Sequence, residues 1–376
     1  MAGKYTTEQI IFIFLQTLRI KSVLMNFKKL FTLALSFIFV LCFSQQDAAH
    51  AADAGEERYD PVPFIMHHIS DSHQWHLWGE GENSVGFSLP VILLDDGLHV
   101  FSSSKFGHHE DQVAESNGKY FKIDHGKIYE SDAQGNIKKD NIPLDFSITK
   151  VVAQMLIGAL ILLLLGFAAA ASYKKSAVPS GVAKFLEPII VFVRDDIAFQ
   201  NIGSLYYKKY TPYLVTLFLF IWILNILGLI PGAANTTGNI AFTFTLALFT
   251  MLVVNFSGKK TYWQHMFDPL GNNMPFGGKI LIYLILVPVE LLSIITRPFA
   301  LMIRLFANMT AGHIIIMALI SLIFIMQTYY VTPVSLGLAL FIYILEVLVA
   351  ALQAYIFTML TALFIGSAVE EPHHDH

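Results

Sequence analysis

Five ionisable residues stand where an apolar sequence should hold none. Glu290, Arg297, Arg304, His313 and Glu346 lie inside two long apolar runs, Lys279 to Met326 and Pro333 to Ile365. A charge at mid-membrane costs about 2.5–3.5 kcal/mol on insertion scales, so such groups mark ion paths or paired sites. Glu290 and Arg297 are near enough to a segment end to snorkel to the headgroups. Arg304 has no such escape; its structural alternative is pairing with an acid or with carbonyls inside the protein.

Spacing sharpens the chemistry. Glu290, Arg297 and Arg304 recur every seven residues, one stripe on a helix, with Asn308 a turn further on. Glu346 and Gln353 repeat the interval. Folding the runs into an antiparallel hairpin about Tyr330 sets His313, 17 residues before it, level with Glu346, 16 residues after it. Arg304 then falls level with Tyr355, within a turn of Gln353. The order is a His/Glu pair toward one side, an Arg304/Gln353/Asn308 cluster in the middle, and Glu290 toward the other side. Imidazole titrates at about pH 6.5 and can hand a proton to a carboxylate. Arginine keeps its proton, so Arg304 bars conduction while attracting any acid that passes. No acid on either run lies level with it, which makes a partner's carboxylate the economical reading.

The elements that must position these groups are read from composition. Of 376 residues 55% are hydrophobic and 14% charged, and the mean hydropathy is +0.57. Soluble domains carry roughly 25% charge. Charge concentrates before Lys150, which predicts a small water-exposed domain joined to an all-α polytopic membrane domain, 147–368, and a tail, 369–376. Five crossings are expected, at 148–171, 213–230, 240–256, 279–326 and 333–365. At 1.5 Å per residue the last two would be about 70 and 50 Å long against roughly 30 Å of hydrocarbon. They must lie steeply inclined or bend, with Pro288 and Pro298 as places to bend. Between the first two crossings Leu186, Ile189, Ile190, Val193 and Ile197 recur at helical spacing, which predicts an amphipathic helix over 182–199 lying in the interface or packed on a partner.

Lys174, Lys175, Lys208, Lys209, Lys259, Lys260 and Lys279 fall in the loops after the first and third crossings, whereas Pro231–Gly238 and Gln327–Thr332 hold no Lys or Arg. The positive-inside rule therefore expects those lysine loops and the C-terminus in the cytoplasm of a bacterial inner membrane. The N-terminus agrees independently. Asn26, Lys28 and Lys29 precede the apolar run Leu30 to Phe43, and Ala49-His50-Ala51 reads as a cleavage site, so 25–51 is expected to be a signal peptide, cleaved or kept as an anchor. Residues 1–24 would then be a misassigned upstream start.

Residues 52–146 are expected outside the cytoplasm as a β-rich domain. Leu89 to Leu94 and Leu98 to Ser102 flank Asp95-Asp96-Gly97; Lys119 to Ile123 and Lys127 to Tyr129 flank Asp124-His125-Gly126. Both are hairpin patterns. This part carries His67, His68, His73, His76, His99, His108, His109 and His125. His73 and His76 on one helix face would suit zinc, but no acid or cysteine framework accompanies them. The plainer readings are histidines in wet loops, or a surface that gathers protons; no metal or cofactor is expected. One cysteine, Cys42, excludes a disulfide framework, and a net charge of −4 gives no reason to expect nucleic acid. There is no P-loop pattern, so any nucleotide chemistry falls to partners.

Arg304-Leu305-Phe306-Ala307-Asn308-Met309-Thr310-Ala311-Gly312-His313 resembles the signature of F-type ATP synthase subunit a. Leu352 to Phe357 looks like that family's motif on the last helix, and Asn225 to Pro231 is similar to the end of its second crossing. The likeness covers roughly 145–368; the domain before it is a departure. The resemblance implies a non-catalytic, ion-translocating subunit working with a ring of c proteolipids, the peripheral stalk subunit b and, through the complex, the catalytic head. It implies an outer half-channel at His313, Glu346, Asn308 and Gln353, an inner acid at Glu290, and Arg304 facing the ring's carboxylate. In the family, acid and histidine exchange places between the positions of His313 and Glu346. A secondary transporter is the rival reading, but such folds show internal repeats, and none is visible in this sequence.

Overall fold

The structure is a computed structural model that describes residues 60–78, 85–107, 110–138, 141–176, 178, 180–267 and 276–370. The expected signal peptide, residues 1–24, His108, His109 and most of the C-terminal tail lie outside the described residues.

The chain begins with helix α1 (Pro61–Ile69), capped by the Asp60 carboxylate. Strands β1 (Gln74–Trp78) and β2 (Val85–Ser88) pair antiparallel. Strands β3 (Pro90–Leu94) and β4 (Leu98–Ser102) form a hairpin across Asp95-Asp96-Gly97, and β8 (Leu144–Asp145) joins the free side of β3. Strands β5 (Ala114–Ser116), β6 (Lys119–Asp124) and β7 (Lys127–Ser131) make the third sheet. His125 and Gly126 both adopt positive φ, the geometry a two-residue hairpin needs. Asn117-Gly118 makes the same turn before β6, a hairpin the sequence reading passed over. Val91, Leu93, Phe101, Phe106, Phe121 and Ile128 close the core.

His73 and His76 do not share a helix face. His76 is in β1 and His73 immediately precedes it. Three positions apart on extended chain, their side chains point to opposite faces. β1, Gln74-Trp75-His76-Leu77-Trp78, pairs across to β2, and that pairing overrides any local helical spacing.

Among the described residues five helices are long and apolar enough to cross a membrane: α2 (Lys150–Lys175), α4 (Tyr207–Leu229), α5 (Ile240–Ser257), α7 (Phe276–Met326) and α8 (Val331–Val369). Thr149 caps α2, and Asn239 caps α5 through the amides of Ala241 and Phe242. Leu156, Leu160, Leu163, Leu164 and Phe167 lie exposed along α2, an apolar surface suited to lipid. Helix α3 (Val182–Phe192) runs on through a π-helical stretch, Val193–Phe199, to a last turn at Gln200–Ile202. Ala183, Leu186, Val193 and Ile197 are its buried side. Helix α6 (Lys260–Phe267) links α5 toward α7. Helix α7 has 51 residues and stays helical through Pro288 and Pro298; α8 has 39. The two pack along each other, and α4 packs on α8.

The N-terminal domain is bonded to the helices. The Asp71 carboxylate accepts the Val151 amide (3.2 Å) and Ser72 O accepts the Lys150 amide (3.0 Å), satisfying two of the free N–H groups at the start of α2. The Lys150 ammonium donates to His68 O, and Trp75 Nε1 donates to Gly232 O (2.7 Å) in the α4–α5 loop. Helix α1 packs against α7.

Candidate functional site

Helix α8 buries one side along its whole length: Ser335, Ala339, Glu346, Ala350, Gln353, Phe357, Thr361 and Ile365 recur at intervals of three, four and, once, seven. Glu346, at 7% exposure, and Gln353 therefore face into the bundle. Neither carboxyl oxygen of Glu346 finds a hydrogen-bond partner among the described residues. Its neighbour is His313 on α7, whose Nδ1 lies 4.0 Å from Glu346 Oε1.

The imidazole is held from both ends. Nδ1 lies 2.9 Å from Met309 O, one turn back on α7, and Nε2 lies 3.0 Å from Gly228 O at the end of α4. A proton on either nitrogen therefore meets an acceptor, which suits a ring that takes a proton on one side and releases it on the other. Gly312 makes the pair possible, because a Cβ there would overlap the Glu346 carboxylate.

Further polar groups surround this pair, and sequence reading missed them. The Asn225 amide, fully buried, donates to Ala350 O (3.0 Å) and leaves its oxygen unpartnered. Gln154, on the buried side of α2, keeps a free Nε2 that would lie 3.8 Å from a Cβ at Gly228. Thr236 and Thr237 bury hydroxyls without partners, and Tyr343 donates to Leu229 O. Buried polar groups need partners, so a cluster of this kind is where water enters a helix bundle. A lone amide in the apolar run of α2 was the signal that marked Gln154.

Arg304 and Asn308 lie elsewhere. Both are exposed on the open side of α7, between Ala300, Ala307 and Ala311. Among the described residues Arg304 has no hydrogen bond or ion pair, and nothing bonds it to Gln353. Arg297 is half-buried over the Phe364 ring (5.4 Å) and lines a small cavity with Asn255, Tyr262 and Thr250. The Tyr262 hydroxyl donates to Asn255 Oδ1. Glu290 is half-buried a further two turns along.

A helical membrane protein with a histidine–carboxylate pair inside and an unpartnered arginine on its open face is the class these features define. The family model described as ATP synthase A chain matches residues 152–366, and a model described as a domain of unknown function matches 64–146. The chain belongs to the ATP synthase A chain family. It is 48% identical over 235 residues to ATP synthase subunit a of Chloroherpeton thalassium, covering 62% of this chain and 69% of that one. It is 38% identical over 340 residues to the subunit a of Anaeromyxobacter sp. (strain Fw109-5), covering 88% and 76%. ATP synthase subunit a 2 of Chlorobaculum tepidum is 46% identical over 243 residues, covering 62% and 66%.

Proposed function

We propose that this chain is the ion-conducting stator of a bacterial ATP synthase, carrying two proton half-channels separated by Arg304. The observation that carries the reading is the division between α7's two sides. His313 and Glu346 meet inside the bundle, while Arg304 stands exposed and unpartnered on the side open to a neighbour. An unpaired cation at mid-membrane is costly unless an acid comes to it. The acid is the carboxylate of a c-ring proteolipid.

Protons enter on the side of the N-terminal domain, pass His313 and Glu346 with Gln353 and Asn308 along the path, and neutralise a ring carboxylate. The neutral carboxyl can then leave for the lipid as the ring turns. On return to the stator, Arg304 favours the ionised form and displaces the proton, which leaves past Glu290. Conduction is not short-circuited, because guanidinium does not hand on its proton. The subunit forms no bond with ATP; the catalytic head, joined through subunit b and the ring, performs that chemistry. The lysine-bearing loops set the cytoplasmic side, with the N-terminal domain periplasmic. The inclined α7–α8 hairpin follows the ring's curvature, and α3 lies in the interface.

The test is Arg304→Ala in inverted vesicles, scoring assembly and ATP-driven acidification. Intact assembly with pumping abolished, and a proton leak once the head is stripped off, is the expected result. Pumping near the unmutated level would overturn the stator role.

A further inference from the structure

The N-terminal domain is bonded to the membrane helices close to the elements that hold the His313 pair. Trp75 bonds to Gly232, four residues after the Gly228 carbonyl that His313 faces. Asp71 and Ser72 bond the first amides of α2, one turn above Gln154. Beside that helix start a buried imidazole meets partly exposed acids. His73 is 2% exposed, its Nε2 is 3.5 Å from Asp145 Oδ2, and its ring nitrogens make no hydrogen bond of good geometry. The Glu110 carboxylate accepts the amides of His73 (2.7 Å) and Gln74 (3.0 Å). Asp71, Glu110 and Asp145 set three negative charges around His73 from the N-terminal domain, and Lys150 brings one positive charge from α2. The balance draws protons.

Below the cluster, α2 turns one side inward: Val151, Gln154 and Gly158 are buried in succession. The unpartnered Gln154 amide lies near Gly228, whose carbonyl faces the His313 ring. A buried imidazole among acids, an unpartnered buried amide one turn along α2, and a second imidazole beside a carboxylate are thus linked in succession through the start of α2 and Gly228.

We propose that the N-terminal domain is the outer vestibule of the proton path, in which His73 and Asp145 take up protons and pass them by way of Gln154 to His313 and Glu346. This rests on the half-channel reading above. At each handover one ring nitrogen gains a proton and the other loses one, which leaves His73 in its other tautomer, and a flip of the ring restores the first. The free amide of Gln154 and the hydroxyls of Thr236 and Thr237 offer bonding sites for water along the way. Burial works against a charge on His73, but the carboxylates of Asp145, Glu110 and Asp71 outweigh it and hold the ring above its ordinary value. That favours uptake of a proton at His73.

The experiment uses the whole complex in proteoliposomes, with the head stripped and the pH on each side set separately. His73→Gln and Gln154→Met are compared with His313→Ala. Passive proton flux should fall about 10²-fold in His73→Gln, as expected for loss of a positioned proton carrier, and should fall in Gln154→Met as well. His73→Gln should also lose the histidine-like step in flux against outer pH. If both keep normal flux while His313→Ala loses it, the domain is a clamp and the proposal is overturned. If His313→Ala keeps its flux too, the half-channel reading itself fails. Protease protection of residues 64–146 reports whether His73→Gln still folds. Should it not, Gln154→Met alone decides, since it lies on α2, and normal flux there overturns the relay.

Discussion

Gly312 and Glu346 face each other across the α7–α8 seam so closely that residue 312 has no room for a Cβ. The carboxylate occupies the space a side chain would take, and the next residue, His313, is thereby brought within 4.0 Å of it. A glycine inside a helix is unfavourable by about 1 kcal/mol relative to alanine. Its use here is the close approach that seats a buried acid.

That contact predicts an epistatic pair. Gly312→Ala should push the Glu346 carboxyl off the His313 ring and reduce proton flux strongly, with the complex still assembled. Adding Glu346→Asp, which withdraws the acid by one methylene, should recover part of the loss. Flux in head-stripped vesicles measures both, and a double variant no better than Gly312→Ala would show that the clash is not the cause.

The His313–Glu346 pair should tolerate exchange. His313→Glu with Glu346→His keeps one imidazole beside one carboxylate at the same place, so conduction should survive. His313→Ala or Glu346→Ala alone should lose about 10²-fold or more, the usual contribution of a positioned proton carrier. ATP-driven acidification of vesicles, compared among the three, is the measurement.

Asn225 ties α4 to α8 through Ala350 O inside the bundle. Asn225→Leu removes that bond at a cost of about 0.5–1.5 kcal/mol, while the Ala350 carbonyl keeps its bond within α8. Thermal unfolding of the detergent-solubilised complex should begin at lower temperature, whereas Thr245→Ala, whose hydroxyl bonds only within its own exposed helix turn, should leave it unchanged.

The His73–Asp145 pair predicts how the N-terminal domain responds to pH. His73 is raised above its ordinary 6.5, so its stabilising contribution is complete below that value and is lost as pH rises through the raised value. Asp145 behaves oppositely. Burial pushes its carboxyl up, but His73 and the Ser147 bonds prevail and lower it below 3.8, so its contribution is present above 3.8 and is lost as pH falls through the lowered value. Amide exchange protection over β1 and β8 should therefore be greatest in mildly acidic solution and decline toward alkaline pH. Asp145→Asn should flatten the alkaline decline.

Hydropathy made five helices legible, since a crossing is a matter of length and apolar content, both local properties. Turn residues marked two hairpins in the N-terminal domain for the same reason, and Asn117-Gly118 was a third such signal that went unread. The histidine reading on residues 73 and 76 failed because helical spacing was assumed for a segment whose conformation is set by its pairing with β2. Helical spacing sets Asn308 beside Arg304, and both are exposed on the same side of α7, whereas Gln353 was joined to Arg304 by depth along the helices alone. Depth can be counted from a loop, but rotation about the helix axis cannot, and rotation puts Gln353 inward and Arg304 and Asn308 outward.

The sequence by itself determined the membrane class, the family and the residue types needed to carry and to block a proton. These follow from composition, run length and a motif of contiguous residues, none of which needs a partner. Only the tertiary structure decided that Gly312 yields its space to Glu346, that Gln154 turns toward Gly228, and that His73 meets Asp145, 72 positions along the chain. Each is a contact between elements far apart in sequence. Such contacts are fixed by how buried faces pack and how strands pair, which no local pattern encodes.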